Sequence, residues 1–180
     1  MPVTNPNVRA YFITFTTYGS RLRGDPRGST DRRSNGYGEP FIASAPRLAA
    51  AQSGSMRWPA FVMADRERRI VAGAIRSISA KRAWVLYALN VRTNHVHLVV
   101  EALDRTPEMI MASFKAVGTL ALKWTGCVMD GGWIWSRHGS TRYLFEPEAT
   151  PAAVRYVVDR QGGNLDGAWY LVRGFEFGDY

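Results

Sequence analysis

The residues in this chain best suited to chemistry are a histidine pair, His95 and His97, and a tyrosine far downstream, Tyr156. The chain has 3 histidines, and two of them fall in the run Thr93-Asn94-His95-Val96-His97-Leu98-Val99-Val100-Glu101. Side chains alternate along a strand, so His95 and His97 share one face while Val96 turns to the other. Two imidazoles at that spacing can ligate one divalent metal ion. The same pattern also occurs on a solvated sheet face where both rings are simply hydrogen-bonded. A metal role therefore needs a further ligand and a nucleophile from elsewhere in the chain.

Tyr156 lies in a short stretch that reads as a helix, Thr150 to Gln161, opened by Thr150-Pro151 and stopped by Gly162-Gly163. Val154, Val157 and Val158 give this helix an apolar side, and Asp159 and Arg160 follow Tyr156 at +3 and +4 on its own side. Taken locally, Tyr156 serves equally well as an amphipathic packing residue or as a nucleophile. A phenol is a weak nucleophile near neutral pH and needs a nearby cation to favour phenolate. Tyr11, Tyr87 and Tyr143 sit in strand patterns and read as sheet residues. Ser136 and Ser140 have no paired base in sequence, which leaves a serine mechanism unsupported. His138, near Arg137 and Arg142, reads as a phosphate-contacting or surface residue rather than a ligand.

The elements that must position these groups follow from hydrophobic spacing. Ala10 to Tyr18 is aromatic and β-branched, a strand. The stretch from about 19 to 58 has little periodicity and carries Arg21, Arg23, Arg27, Arg32 and Arg33 among glycines, with Tyr18, Tyr37 and Phe41 interleaved. It reads as a basic loop excursion, a mixture suited to phosphate contacts and base stacking, or equally as a solvated excursion. From Ala60, the residues Phe61, Ala64, Ile70, Val71, Ala74, Ile75 and Ile78 repeat at helical spacing. Trp84 to Leu89 reads as a strand, and Asn90 to Asn94 connects it to the histidine strand as an antiparallel pair. Thr106-Pro107-Glu108 opens a second helix whose apolar face takes in Met109, Ile110, Phe114, Val117, Leu120, Ala121 and Trp124, with Lys115 and Lys123 exposed. Trp133 to Trp135 and Arg142 to Phe145 read as two short strands, and Trp169 to Val172 as a further strand or a packed tail. The order is that of a single α+β domain over residues 1–180. A ferredoxin-like antiparallel sheet with helices packed on one face, and the histidines on a central strand, is the simplest architecture.

Composition narrows the function class. A chain of 180 residues with 46% hydrophobic and 21% charged residues suits one globular domain with a proper core. A formal net charge of +8 and a pI near 10.1 favour a polyanionic partner, nucleic acid above all. The lone Cys127 excludes an internal disulfide and a cysteine-rich zinc site. Met1 to Pro6 lacks a signal-peptide pattern and no apolar run is long enough to span a bilayer, so a cytoplasmic protein with no membrane partner is expected.

Together, His95-Val96-His97 and the downstream Tyr-Val-Val-Asp-Arg-Gln-Gly run that begins at Tyr156 resemble the HUH single-strand DNA transposases with one catalytic tyrosine. These include the REP-associated tyrosine transposases and related small insertion-sequence transposases. Ile13 to Asp25, Asn94 to Val100 and Ile134 to Gly139 are similar to the family's opening, histidine strand and pre-helix segment. The resemblance implies a metal-dependent endonuclease and strand transferase of single-stranded or hairpin DNA, active in DNA transposition and recombination. By it, His95 and His97 hold Mg²⁺ or Mn²⁺ and Tyr156 forms a 5′-phosphotyrosine intermediate; the charge of the basic loop, of Arg137 and of Arg142 makes these the expected DNA contacts. It also allows a homodimer with shared sites, and a domesticated relative that binds hairpins without cutting. Two imidazoles suit Mn²⁺ better than Mg²⁺, which prefers oxygen. Family members carry Gln or Asn four residues after the tyrosine, where this chain has Arg160. Asp159 lies about 60° from Tyr156 around a helix and Gln161 about 140°. Asp159 is the better-placed third ligand, Gln161 the better chemical match.

Overall fold

The computed structural model describes residues 7–20, 22, 45–102, 104–128 and 131–159. Arg21, Arg23, Arg27, Arg32, Arg33, Gln161 and the Trp169 to Val172 segment lie outside the described residues. In chain order the elements are β1 (Ala10–Thr17), α1 (Pro46–Gly54), α2 (Asp65–Lys81), β2 (Val85–Val91), β3 (His95–Glu101), α3 (Pro107–Trp124), β4 (Trp135–Leu144) and α4 (Ala149–Asp159).

The four strands form one antiparallel sheet in the order β2-β3-β1-β4. That is the α+β, ferredoxin-like arrangement, and it puts the histidine strand β3 in the interior between β2 and β1. Alternation then divides the sheet residues between two cores. Tyr11, Ile13, Phe15, Val96, Leu98 and Val100 pack beneath α2 and α3 against Val71, Ile75, Ile110 and Phe114. Ala10, Ala88, Val99 and Leu144 turn the other way and meet Val154 and Val157 of α4. The helices therefore do not share one face, as the sequence suggested. The small second apolar set needs its own cover, and the Val154/Val157 stripe of α4 provides it.

Local chemistry explains several boundaries. Thr106 caps α3, its Oγ1 accepting from the Met109 N–H at 3.4 Å, with Pro107 in the first turn and Glu108 beside it. The buried row of α3 is Ile110, Phe114, Gly118 and Leu122, one residue every turn. Met109, Leu120 and Trp124, expected on the apolar face, stand 48%, 53% and 87% exposed, because a row at four-residue spacing leaves its flanks to solvent. Helix α2 starts at Asp65 rather than near Ala60, with Asp65 pairing to Arg68 at 3.1 Å and Arg69 at 2.5 Å in its first turn. Helix α1 falls inside the stretch expected to be loop. Strand β2 runs on to Val91, taking in Asn90, which shortens the connection to residues 92–94.

Strand β4 is one continuous edge strand where the sequence suggested two short ones. Its polar middle, Ser136 to Ser140, pairs with β1 through backbone, which hydrophobic spacing cannot register. Gly139 permits this pairing: a Cβ there would lie 2.5 Å from the Thr14 carbonyl oxygen and 2.5 Å from the Met111 sulfur. Lys115 of α3 is half-buried rather than exposed, its Nζ donating to the carbonyls of Ser136 at 2.9 Å and His138 at 3.1 Å. Burial pushes its ammonium pKa down to about 8.

Candidate active site

The β2–β3 hairpin holds the histidine strand by its loop. Arg92 N–H donates to the His95 carbonyl at 2.8 Å, Thr17 N–H to the Asn94 carbonyl at 2.8 Å, and Met63 N–H to the Thr93 carbonyl at 2.7 Å. His95 and His97 project to the α4 face, with Val96 and Leu98 in the opposite core. Their ring centroids are 4.6 Å apart at an interplanar angle of 70°.

Each ring is oriented by a neighbour at Nδ1. His95 Nδ1 lies 2.7 Å from Asn94 Oδ1, and His97 Nδ1 lies 2.6 Å from Thr14 Oγ1 across the β1–β3 pair. A carboxamide oxygen only accepts, so this contact calls for a proton on Nδ1 of His95 and makes Nε2 the ring nitrogen suited to a metal. The threonine hydroxyl can accept from Nδ1–H of His97 and give it the same tautomer. This is the outer-shell support typical of metal-binding imidazoles, and the donor set fits a divalent cation that takes nitrogen ligands.

Helix α4 brings Tyr156 to the same place. Val154 and Val157 are fully buried, and the Asn90 side-chain amide donates to the Val157 carbonyl at 2.9 Å. Tyr156, 43% exposed, sits with its ring centroid 5.9 Å from that of His97 at 81°, and 5.7 Å from that of Phe12 at 77°. Phe12 in turn stacks on His97 at 5.8 Å and 22°. Phe12, His97 and Tyr156 are thus one aromatic cluster within a single chain.

The remaining candidates are placed as follows. Asp159 is the last residue of α4 and exposed, and among the described residues no group of three His, Cys, Asp or Glu side chains gathers to hold a metal. Arg137, His138 and Arg142 are exposed on β4. Arg142 pairs in register with Phe12, which puts it on the α4 face at the edge of the aromatic cluster. Tyr87, read as a sheet residue, occupies an irregular position in β2 and donates to Glu101 at the far end of β3. Burial first, then that hydrogen bond and the Glu101 charge, push its pKa up to about 12. Phe12, Thr14, Asn90 and Asn94 support the site without having been singled out in the sequence. Asn94 precedes His95 and could have been noticed; Thr14 and Asn90 become visible only once strand register is known.

No family model matches the chain, and no curated protein sequence does either. Among solved structures, the chain is similar to a REP-associated tyrosine transposase bound to a REP hairpin. The identity is 14%, with 87% of this chain and 68% of that one covered, at a TM-score of 0.46. It is also similar to a Deinococcus radiodurans R1 protein described as a transposase, at 14% identity, 87% and 93% coverage, and a TM-score of 0.44. Both likenesses are distant.

Proposed function

We propose that this chain is a metal-dependent endonuclease and strand transferase of single-stranded or hairpin DNA, with Tyr156 as the nucleophile. The observation that supports this reading above others is the 5.9 Å approach of the Tyr156 ring to His97 within one chain. In this reading the Tyr156 phenol oxygen attacks a phosphodiester, the P–O3′ bond breaks, and a 5′-phosphotyrosine link forms. The departing 3′-oxygen takes up a proton as the phenol gives one up, and attack by another strand's 3′-hydroxyl reverses the exchange. One phosphoester replaces another, so no nucleotide cofactor is required.

His95 and His97 would hold Mn²⁺ or Mg²⁺, with Gln161 or Asp159 as a third ligand. When bound, the ion would polarise the phosphate and favour the phenolate. Asn94 and Thr14 keep both imidazoles aimed. Arg142, Arg137 and the N-terminal Arg21, Arg23, Arg27, Arg32 and Arg33 would neutralise the DNA backbone, in keeping with the net charge of +8. The role is that of a transposase or of a protein derived from one.

The test is a denaturing-gel assay with hairpin and single-stranded oligonucleotides in Mn²⁺. The parent is expected to form a covalent adduct, and Tyr156→Phe to lose it while still binding DNA. An undiminished adduct in Tyr156→Phe would sink the assignment of the nucleophile. His95→Ala and His97→Ala are expected to lose Mn²⁺-stimulated cleavage, and unchanged activity would remove the metal role. A second reading is a hairpin-binding protein that does not cut. The exposed Arg137 and Arg142 of β4 and the net charge of +8 would serve it without a metal. Metal-independent binding with no nicking of any hairpin would decide for it.

A further inference from the structure

Beside the candidate site stands a residue whose chemistry is out of keeping with its surroundings. Asn90 is completely buried in β2, directly opposite His97 in the β2–β3 register. The α4 core next to it consists of Ala10, Ala88, Val99, Leu144, Val154 and Val157. Its Nδ2 donates to the carbonyl of Val157, the residue after Tyr156, at 2.9 Å. Its Oδ1 is buried and has no hydrogen-bond partner among the described residues. A half-satisfied carboxamide in an apolar layer is a poor choice for stability, since the orphan oxygen bears an uncompensated desolvation cost. An aliphatic side chain would fill the same space without that orphan oxygen, and its cost would be the loss of the donor to the Val157 carbonyl. What the carboxamide supplies and an aliphatic residue cannot is direction: one fixed bond from the histidine strand's neighbour to the backbone that carries Tyr156.

We infer that Asn90 is a positioning residue that sets the placement of Tyr156 over His97, at some expense to stability. The inference rests on the reading of Tyr156 as the nucleophile. Valine contacts from Val154 and Val157 hold α4 on the sheet, but such contacts are non-directional and tolerate sliding and rotation. The Asn90 bond is directional and acts one residue from Tyr156. A nucleophile displaced by about 1 Å can lose on the order of 100-fold in rate.

The experiment compares the full-length parent with Asn90→Leu and Asn90→Val, the second guarding against overpacking in the first. Three quantities are read: Tm, affinity for a hairpin oligonucleotide, and the adduct rate at saturating oligonucleotide. Tm and affinity are expected to hold or, for Tm, to rise, while the saturating adduct rate falls by about tenfold or more. A role in packing alone would lower Tm and leave the saturating rate of the folded fraction untouched. A fall in Tm for both variants, or an adduct rate within about twofold of the parent, overturns the inference. A second measurement does not depend on cleavage. 3-Fluorotyrosine at position 156 reports its ring environment by ¹⁹F NMR, with the same label at Tyr143, on the opposite sheet face, as control. Asn90→Leu is expected to move the position 156 resonance and leave that at 143 in place; an unmoved 156 resonance overturns the inference. If the parent forms no adduct at all, the nuclease reading fails, and the fluorine spectra still decide whether Asn90 places Tyr156.

Discussion

At the residue scale, the candidate site depends on side chains that touch the histidines rather than on the histidines alone. His97 is aimed by Thr14 and flanked by Phe12, and His95 is aimed by Asn94. Removing such an outer partner from a metal-binding imidazole costs about 10- to 100-fold in affinity. Thr14→Val keeps the shape of a half-buried strand residue and removes only the hydroxyl, so under the proposed metal role its Mn²⁺ affinity is expected to drop by that factor with little change in Tm. Calorimetric titration of Mn²⁺ into both proteins checks this, and equal affinities would show that Thr14 does not orient the ligand. The pairing of His95 with His97 on one face was legible in the sequence, because strand alternation is a local rule. The identity of Thr14 as the partner was not. It lies across a strand pair whose register depends on the whole sheet.

At the element scale, strand β4 departed from hydrophobic spacing. Strand β4 is held at its middle by backbone pairing to β1, by Gly139 and by the Lys115 ammonium on two of its carbonyls, none of which produces an apolar pattern. Gly139→Ala forces a methyl against the Thr14 carbonyl oxygen, and overpacking of this kind costs about 1–3 kcal/mol. Thermal unfolding should show a lower Tm, with Mn²⁺ affinity falling as well because Thr14 shifts with its backbone. A Tm equal to the parent's would mean that the strands separate locally without strain. Lys115 adds a pH dependence. Its folded pKa near 8 lies below the ordinary lysine value of 10.5, so the unfolded chain binds more protons between the two. Stability from this group therefore rises with pH from about 8 to about 10.5, and is lowest below 8 where both states are charged. Relative to Lys115→Met, the parent's Tm should climb across that window; a flat difference would contradict the buried environment. Helix α4 was legible as a helix from Thr150-Pro151 and its valines, but not its side of the sheet. An amphipathic stripe specifies that a face is buried, not which apolar surface will bury it.

For the whole molecule, the excess of positive charge is the property that reaches furthest, and no helix among the described residues is long and apolar enough to cross a membrane. If the basic groups meet a DNA backbone, affinity should fall linearly on a log–log plot against salt. Arg142→Ala should weaken binding to all sequences alike and reduce the slope by about 0.7, the value for one phosphate contact on a single strand. A slope unchanged in that variant would remove Arg142 from the interface, and fluorescence anisotropy over a salt series measures it. The sequence by itself determined the α+β class, the histidine strand, the tyrosine helix and the basic charge. Each of these is a matter of periodicity, capping residues or composition, all short-range and readable along the chain. Only the tertiary structure decided that α4 lies on the sheet face opposite α2 and α3, and that Tyr156 comes to His97 within one chain. It alone revealed that Thr14 and Asn90 flank the histidine strand from either side. Those placements come from strand register and from which apolar surface each helix covers. Both are settled by contacts between residues far apart in sequence, where hydrophobic burial is non-directional until the sheet exists to direct it.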